Sequence, residues 1–370
     1  MIFGTRPEII KLSPVFEALR AKQRAEVSCI FSGQQADLAP GFLEEFKIPI
    51  SHELGVMRHG QSLPSLMSKL MVAIEAQLAK DNPSAVVVQG DTSTALAAAM
   101  IANLNKIPVF HVEAGLRTFN PHSPFPEETN RCLIAKLASH HFAATPGNRD
   151  NLIAEGVPAS AITVSGNPIV DIVLQTKGEL ASSPTVSTIL SQVKTSKLIV
   201  LTAHRRENFD TLLSQYLGVL RHQLELHPEF SIVVPVHPNP IAKDILTKNL
   251  VNHERVIAIE PLGYKDFLML LRHANLIVSD SGGIQEEAIS LGCPLFVLRE
   301  TTERPEALAC SSVRLAPSAQ DLEKLLGEFV AEPNQFYAPD LDENPFGDGK
   351  AGPRIADYLM DKLENPEAER

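Results

Sequence analysis

The stretch AVVVQGDTSTALAAAMIANLNKIPVFHV (Ala85–Val112) predicts a strand, a helix and a second strand in direct succession. Its two ends, Ala85–Gln89 and Val109–Val112, are short, mostly apolar runs of the kind expected for strands covered on both faces. The segment between them, Thr94–Leu104, has helical spacing. Two strands joined by a helix form a parallel pair with a right-handed crossover, so this stretch predicts a parallel α/β sheet.

The same alternation of apolar runs and helical segments extends through most of the chain. Helical spacing recurs, for example, at Glu127–Leu137 and Lys265–Leu271. The further candidate strands are Val27–Phe31, His141–Ala144, Ile162–Val164, Leu198–Thr202, Ser231–Val236, Val256–Ile259, Leu276–Val278 and Leu295–Leu298. This pattern indicates the α/β class with doubly wound parallel sheets.

Chain length and the Gly/Pro-rich segments predict two domains. A chain of 370 residues exceeds one ordinary core. Ser165–Pro168 follows a strand and interrupts any continuing helix, so we predict an N-terminal domain of residues 1–167 and a C-terminal domain of residues 168–353. A terminal helix is expected from near Arg354. Two Rossmann-like domains facing across a cleft would bind ligands at the carboxyl ends of their strands.

Composition and charge exclude several classes of partner. The formal net charge of −11 disfavours non-specific binding to nucleic acid or to a membrane. The cysteines form no CxxC pair, which gives no zinc-site spacing. Charged residues near the N-terminus and the short length of the longest apolar run, Ala95–Ala102, predict neither a signal peptide nor a membrane span. We therefore expect a cytoplasmic protein.

The first polar cluster is Gly4–Glu8, followed by Lys11. Pro7 suits the first turn of a helix, and Arg6 and Lys11 could reach an anion at that helix N-terminus. A capped helix with solvated charges is the alternative.

Three carboxylates stand at the ends of successive predicted strands or open the next helix: Asp91, Glu113 and Glu127. Each has an alternative explanation. Asp91 suits a helix N-cap, Arg117 could neutralise Glu113, and acidic residues are common in the first turn of a helix. Taken together, three neighbouring carboxylates suit the removal and return of a proton and the stabilisation of positive charge at a sugar carbon.

The second half of the chain adds basic side chains and a glycine-rich turn. His204 and His237 follow two of its predicted strands in a basic context, which favours a pyrophosphate site. Asp280–Gly283 precedes a predicted helix, where glycines let backbone N–H groups approach an anion closely. One of the neighbouring acids, Glu286 or Glu287, is expected to face the ligand and accept hydrogen bonds from ribose hydroxyls.

The segment Arg299–Glu306 is dense in charge, and a solvated loop is its default explanation. The chain has no Walker lysine pattern, GxGxxG, HExxH or GxSxG motif, which argues against common triphosphatases, dehydrogenases, zinc proteases and serine hydrolases. We expect neither a metal ion nor a cofactor.

Taken together, these segments resemble the bacterial non-hydrolysing UDP-N-acetylglucosamine (UDP-GlcNAc) 2-epimerases. The matching motifs stand in family order over essentially the whole chain, and as a set they are specific. They are GTRPEIIK (Gly4–Lys11), GDT (Gly90–Thr92), HVEAGLRT (His111–Thr118), SPFPEE (Ser123–Glu128), HRREN (His204–Asn208), PVHPNP (Pro235–Pro240), SDSGGIQEEA (Ser279–Ala288) and RETTERPEA (Arg299–Ala307).

The resemblance implies a glycosyltransferase-B-type architecture, a homodimer, and a C-terminal helix within residues 354–370 that packs back on the first domain. It implies a UDP-sugar ligand and the interconversion of UDP-GlcNAc and UDP-ManNAc for surface polysaccharide synthesis. The catalytic residues carried over motif by motif are Asp91, Glu113, Glu127 and His204. The carried-over contacts to diphosphate or nucleotide are Arg6, Lys11, His237, Ser281, Gly282 and Gly283, with Glu287 as the ribose-binding glutamate.

Two departures from the family pattern bear on these expectations. Few residues precede Gly4, so we expect either a start codon further upstream or a truncated first strand. Gln34 matches the second, activating substrate site of the family, whereas Ala36 and Asp37 do not, which leaves activation by substrate open.

Four alternatives remain at the level of sequence. The nearest is a 2-epimerase of another UDP-2-acetamido sugar. A UDP-sugar glycosyltransferase of the same fold and a non-catalytic UDP-sugar sensor would hold the same class of ligand. The hydrolysing relatives, which release free ManNAc, look different at the first motif, where this chain has Pro7 and Glu8.

Overall fold

The computed structural model describes residues 1–35, 39–58, 60–178, 183–203, 211–236, 240–336 and 343–365. The strands are β1 (Ile2–Phe3), β2 (Ile30–Phe31), β3 (His52–Glu53), β4 (Val86–Gln89), β5 (Val109–Ala114), β6 (His140–Ala143), β7 (Ile162–Val164), β8 (Lys197–Thr202), β9 (Phe230–Pro235), β10 (Val256–Ile259), β11 (Leu276–Ser279), β12 (Leu295–Val297) and β13 (Val313–Leu315). The α-helices are α1 (Arg6–Lys22), α2 (Ala39–Glu45), α3 (Leu63–Asp81), α4 (Ser93–Leu104), α5 (Glu127–Leu137), α6 (Pro146–Ala154), α7 (Pro168–Gly178), α8 (Pro184–Gln192), α9 (Thr211–Leu226), α10 (Pro240–Leu246), α11 (Tyr264–Arg272), α12 (Ile284–Leu291), α13 (Pro305–Leu308), α14 (Ala319–Ala331) and α15 (Ala351–Glu364).

The chain divides into two compact units. Unit 1 is Met1–Ile172 together with Phe346–Arg370, and unit 2 is Val173–Pro345. The division falls inside α7, whereas the sequence-based boundary precedes that helix. Unit 1 therefore contains both ends of the chain.

Unit 1 has two parallel sheets, in the orders β1-β2-β3 and β4-β5-β6-β7, with a large apolar cluster and a smaller one beside β5, β6 and β7. Side chains from both sheets, among them Ile2, Ile30 and Val88, join Leu70 and Ile74 of α3 in a single buried cluster. Strands β4 and β5 are buried along their whole length, which explains why their sequences do not alternate between apolar and polar residues.

The C-terminal helix α15 packs against α1 through a close approach at Gly352. A Cβ atom added there would lie 2.7 Å from the backbone of Pro14, so only glycine permits this contact. Asp171 accepts hydrogen bonds from the N–H groups of Ala351 and Gly352 at 3.1 and 2.8 Å. These bonds satisfy backbone donors at the start of α15 that have no partner within the helix.

Unit 2 has a six-stranded parallel sheet in the order β10-β9-β8-β11-β12-β13. Counted from β8, this is the 3-2-1-4-5-6 order of Rossmann domains. The order reverses between β8 and β11, whose last residues, Thr202 and Ser279, are joined by a hydroxyl–hydroxyl hydrogen bond of 2.7 Å. Ligands of such sheets bind outside the carboxyl ends of the strands at this switch point.

The predicted α/β class with parallel, doubly wound sheets is confirmed. The strand Val256–Ile259 and the helix Glu127–Leu137 have the predicted bounds. The candidate strands did not include β1, β3 and β13, which have two or three residues each and are too short to show an apolar run, although a truncated first strand before Gly4 was one of two expectations. None of the helices in the described ranges is long and apolar enough to cross a bilayer.

Candidate active site

Glu113 lies near the carboxyl end of β5 with 7% of its surface exposed. Lys11 Nζ and Asn167 Nδ2 donate hydrogen bonds to its Oε1, the second at 3.0 Å, and Gln89 Nε2 donates to its Oε2. A carboxylate removed from water needs such partners to stay ionised. Lys11, which the sequence assigns to diphosphate, thus contacts Glu113 in this structure.

The backbone around Glu113 is irregular. Its φ of +60° is uncommon for a residue with a side chain. The pairing of β5 with β6 shifts register between Val112 and Ala114, so Glu113 occupies a bulge, which re-aims the side chain it carries. Gly115 follows with a φ of +89°, and a Cβ atom added there would lie 2.2 Å from the carbonyl oxygen of Asn148. The strand end therefore requires glycine beside the site.

The alternative in which Arg117 neutralises Glu113 is wrong. Arg117 Nε and Nη2 donate to the carboxylate of Glu155 at 2.6 and 2.7 Å, and these bonds lower the pKa of Glu155. A spacing of four residues brings side chains together on a helix. Here the chain turns at Gly115 after β5 and carries Arg117 towards the end of α6.

Asp91 follows β4 and is not the N-cap of the next helix. Thr92 occupies that position, and its Oγ1 accepts from the N–H of Ala95 at 2.9 Å. The Asp91 carboxylate accepts from Arg131 Nε and Nη2 at 2.8 and 2.7 Å. Asn130 Nδ2 donates to the Asp91 carbonyl oxygen at 2.8 Å. Two adjacent residues of α5 therefore hold both the backbone and the side chain of Asp91.

Glu127 and Glu128 open α5 and differ in environment. Glu128 is buried, and it accepts hydrogen bonds from the Phe119 N–H and from Arg131 Nη1, both at 3.0 Å. Glu127 is the first residue of the helix and is partly accessible to solvent. Glu128 thus holds the preceding loop and the arginine that contacts Asp91.

Glu8 is a buried carboxyl that sequence analysis did not assign to the site. Its Oε2 accepts from the Gly4 N–H at 3.0 Å and from the Thr5 N–H and Oγ1 at 2.8 Å each. Its Oε1 accepts from Thr92 Oγ1 at 2.7 Å. Burial raises the pKa of Glu8 to about 7, although these hydrogen bonds oppose the rise. Glu8 therefore ties the start of α1 to the N-cap of α4, next to Asp91. Its sequence signal was the capping box formed with Thr5.

Arg6, the first residue of α1, carries a partly buried guanidinium group. The group lies 5.4 Å from the centre of the Phe42 ring. Its buried Nε has no hydrogen-bond partner among the described residues, and burial lowers the pKa of Arg6. A cationic donor without a partner, placed at a helix N-terminus, suits an anionic ligand.

In unit 2, the predicted anion-binding turn joins β11 to α12. Ser281 and Gly283 are partly exposed, whereas Gly282 is buried. A Cβ atom added to Gly282 would lie 2.8 Å from Glu303 Oε1 and 2.9 Å from Arg304 Nη1. The turn therefore packs directly on charged side chains, and a larger residue there would displace the ends of Glu303 and Arg304.

Much of the charge in the loop after β12 is buried, so a solvated loop does not explain it, although Glu300 is exposed. Arg299, Glu303 and Arg304 are all buried. Arg299 Nε donates to the Asp280 carbonyl oxygen at 2.7 Å, and its Nη1 donates to Glu303 at 2.9 Å. Arg304 bridges Glu303 and Glu286 with two bonds of 2.6 Å. This buried network contacts the turn between β11 and α12 through the Asp280 carbonyl oxygen.

Glu286 and Glu287 are adjacent on α12 and have different partners. Glu286 is ion-paired with Arg304 at 2.6 Å. Glu287 Oε1 accepts a hydrogen bond from the Tyr264 hydroxyl at 2.7 Å. Glu286 is thus part of the buried network, while Glu287, the residue assigned to ribose, has a neutral donor beside it.

The predicted catalytic His204 and nucleotide-binding His237 lie outside the described residues. Two other histidines, His111 and His141, are buried on the neighbouring strands β5 and β6. Burial lowers the pKa of His111 to about 4 and that of His141 to about 3, so both are neutral at pH 7. His111 Nε2 donates to the Gly90 carbonyl oxygen at 2.7 Å. Within the part of the chain that the structure describes, no group of three or more His, Cys, Asp and Glu side chains is arranged to hold a metal ion.

The parallel α/β units and the Rossmann strand order of unit 2 place the chain in the Rossmann-like, glycosyltransferase-B-type class. The family model for UDP-N-acetylglucosamine 2-epimerase matches residues 17–360. The chain belongs to this family, which confirms the resemblance found in the motifs.

Individual relatives match this chain over nearly its full length. The UDP-N-acetylglucosamine 2-epimerase of Escherichia coli (strain K12) is 38% identical over 366 residues, which cover 97% of each chain. The crystal structure of UDP-GlcNAc 2-epimerase from Neisseria meningitidis bound to UDP-GlcNAc has 36% identity and a TM-score of 0.89, and the match covers 97% of this chain and 98% of that one. The S. aureus MnaA–UDP co-structure has 33% identity and a TM-score of 0.89, with 98% and 95% covered.

Proposed function

We propose that this enzyme catalyses the reversible C2 epimerisation of UDP-GlcNAc to UDP-ManNAc. The observation that carries the proposal is the buried Glu113 carboxylate with its donors Lys11, Gln89 and Asn167, in a chain of this family. An ionised carboxylate kept from water can take up a sugar proton and stabilise positive charge on the ring. The N. meningitidis relative binds UDP-GlcNAc and the S. aureus relative binds UDP, which supports a UDP-sugar as the substrate.

The proposed reaction is an elimination followed by an addition. The C2 proton is not next to a carbonyl group, so UDP leaves before the proton or together with it. Cleavage of the C1–O bond sends the electron pair to UDP and gives C1 oxocarbenium character, which nearby carboxylates stabilise. Loss of the C2 proton to a base forms 2-acetamidoglucal, with UDP still bound. UDP then adds to C1 and a proton adds to the opposite face of C2, so the product is an isomer of the substrate.

We propose Asp91, Glu113, Glu127 and His204 as the catalytic residues. Asp91 follows β4, Glu113 lies near the end of the neighbouring strand β5, and Glu127 opens α5, whose Arg131 holds Asp91. The carboxyl ends of parallel strands share one edge of a sheet, which supports a common site. The different partners of Asp91 and Glu113 suit two carboxylates with different tasks.

For substrate binding we propose Arg6, Lys11, His237, Ser281, Gly282, Gly283 and Glu287. The Nε of Arg6, for which the described part of the chain offers no hydrogen-bond partner, and the glycine turn before α12 suit phosphate oxygens. Glu287 suits ribose hydroxyls, which donate to carboxylates. We further propose that the enzyme is a cytoplasmic homodimer, needs neither metal nor cofactor, and supplies surface polysaccharide synthesis.

Proton NMR of the purified protein with UDP-GlcNAc in D2O, without added metal or NAD, tests the proposal. The expected result is UDP-ManNAc with deuterium at C2, because the abstracted proton exchanges with solvent. Free ManNAc together with UDP would show hydrolysis instead. Turnover of only another UDP-2-acetamido sugar would replace the proposed substrate.

Variants then test the carboxylates. Asp91→Asn and Glu113→Gln should each lower kcat by about a hundredfold or more while UDP still binds. Glu75→Gln is the control, because it also removes a carboxylate of unit 1, at an exposed position of α3. It should keep the wild-type rate. Undiminished turnover by Glu113→Gln would contradict the role given to Glu113.

A further inference from the structure

We propose that Gln89 and Asn167 are positioning residues that hold the Glu113 carboxylate ionised and in one orientation for catalysis. The inference rests on the proposed function, in which Glu113 acts on the sugar. The two amides contact Glu113 and are not assigned to the substrate. Gln89 ends β4, and Asn167 precedes α7, so the two residues come from separate segments of unit 1.

Asn167 has an amide whose orientation is set by its surroundings. Its Oδ1 accepts a hydrogen bond from the N–H of Ile169 at 3.2 Å, and its own N–H donates to the Phe346 carbonyl oxygen at 2.8 Å. Since the amide oxygen is occupied by a backbone donor, the amide nitrogen faces Glu113 Oε1, 3.0 Å away. Asn167 is fully buried, with 0% exposed, so no water replaces this contact.

Gln89 approaches the same carboxylate from the other side. It is 3% exposed, and its Nε2 donates to Glu113 Oε2. Because the two amides donate to different oxygens, rotation of the carboxylate about its last bond would break at least one bond. The positive φ of Glu113 already fixes where the side chain leaves the strand, so backbone and amides together define the position of both oxygens.

The partners around Glu113 also favour its charged form. Two neutral N–H donors and the Lys11 ammonium all donate to the carboxylate. Donors stabilise the ionised form, whereas a second carboxylate in the same place forces the pair to share a proton. Replacing an amide by its isosteric acid should therefore make Glu113 take up a proton at higher pH.

The chain offers isosteric variants and a matched control. Asn167→Asp keeps an oxygen for the Ile169 N–H and replaces only the group that faces Glu113. Gln89→Glu makes the same change on the other oxygen. Gln77→Glu is the control, because Gln77 is a buried glutamine of unit 1 that donates to a different carboxylate, Asp81 Oδ1, at 2.8 Å.

Two readouts separate this inference from the proposed function. The first is the pH profile of kcat/KM for epimerisation, in which Asn167→Asp and Gln89→Glu should move the acidic limb towards neutral pH by about one unit or more. KM for UDP-GlcNAc should change little, and the acidic limb of Gln77→Glu should coincide with that of the wild type.

The second readout is a carbon NMR titration of protein labelled at the glutamate carboxyl carbon, with the Glu113 signal assigned by its loss in Glu113→Gln. The aspartate in Asn167→Asp is unlabelled, so the Glu113 midpoint is measured directly and should rise.

The outcomes are distinct. A raised Glu113 midpoint in a protein that does not epimerise UDP-GlcNAc would support the positioning role and refute the proposed reaction. An active wild type in which neither the limb nor the midpoint moves in Asn167→Asp would overturn the positioning role. If Gln89→Glu fails to fold, Gln89→Met removes the donor without adding charge and should lower kcat with KM unchanged. An unaltered kcat in Gln89→Met would exclude Gln89 from this role.

Discussion

Replacing Glu8 by glutamine should remove a pH dependence from the stability of the fold. Burial raises the pKa of this carboxyl to about 7, against 4.5 for an ordinary glutamate. Glutamine has the shape and charge of the protonated carboxyl. Its carbonyl oxygen can accept the three hydrogen bonds that Glu8 Oε2 accepts from Gly4 and Thr5. Its amide nitrogen faces Thr92 Oγ1, which can accept as well as donate.

The size and sign of the effect follow from proton binding. Between pH 4.5 and about 7, the folded chain holds a proton on Glu8 that the unfolded chain has already lost. The stability contributed by this proton is therefore complete below pH 4.5 and is lost as pH rises to about 7. Each unit of pKa difference corresponds to about 1.4 kcal/mol, so the difference between 4.5 and about 7 changes the free energy of unfolding by about 3 kcal/mol.

Urea unfolding followed by circular dichroism, between about pH 5 and 8 at constant ionic strength, measures this effect. The free energy of unfolding of the wild type minus that of Glu8→Gln should fall as pH rises to about 7 and stay constant above it. The subtraction removes the titration of all other groups. Glu17→Gln, at an exposed position of the same helix, is the control and should keep the wild-type slope. Parallel curves for the wild type and Glu8→Gln would refute the reasoning.

Two further predictions concern unit 2. Gly282→Ala places a Cβ atom 2.8 Å from Glu303 Oε1 and should weaken UDP binding about tenfold, or about 1.4 kcal/mol, because the turn proposed to bind the diphosphate must move to make room for the methyl group. Gly327→Ala, with open space around the new atom, should bind UDP like the wild type, and equal calorimetric affinities for both variants would contradict the packing argument. Tyr264→Phe removes the hydroxyl that orients Glu287 and should weaken binding of UDP more than binding of 2′-deoxy-UDP. An equal loss for both ligands would separate Tyr264 from ribose recognition.

Local sequence pattern was sufficient for the strands whose faces are both covered. The residues of β4 and β9 are almost all buried, and burial on both faces leaves an apolar run that is visible without knowledge of the partners. The first sheet gave this pattern only at β2, which lies within the predicted strand Val27–Phe31. Its strand β3 consists of His52 and Glu53, which are partly or fully exposed. It is a strand because Ile30 and Phe31 pair with it, and pairing is a long-range property.

The site shows the same division between local and long-range information. Asp91 and Glu113 were singled out together with Glu127, because three carboxylates at the ends of successive predicted strands or at the start of the next helix indicate one site, and because all three match the family motifs. Glu8 was missed as a site residue because its spacing from Thr5 is fully explained by helix capping. The predicted partner of Glu113, Arg117, was wrong because the prediction used the spacing along the chain, which does not give the direction in which a side chain points. The chain turns at Gly115, whose φ is positive, and Arg117 pairs with Glu155; the glycine marks a turn in the sequence but not its direction.

The shell around Glu113 explains why the chemistry of a site is harder to predict than its place. Lys11, Gln89 and Asn167 are separated from Glu113 by 102, 24 and 54 residues, so no window of sequence contains the group. Two of them are neutral amides, which carry no charge to attract notice. Asn167 lies in a segment that its Gly and Pro neighbours mark as a domain boundary. Yet Gln89 and Glu113 end neighbouring parallel strands, and Asn167 follows β7 of the same sheet. Once the strand order is known, polar residues at these carboxyl ends are expected to lie at one edge of the sheet. The order of the strands therefore predicts which distant amides contact the carboxylate, and the local sequence does not.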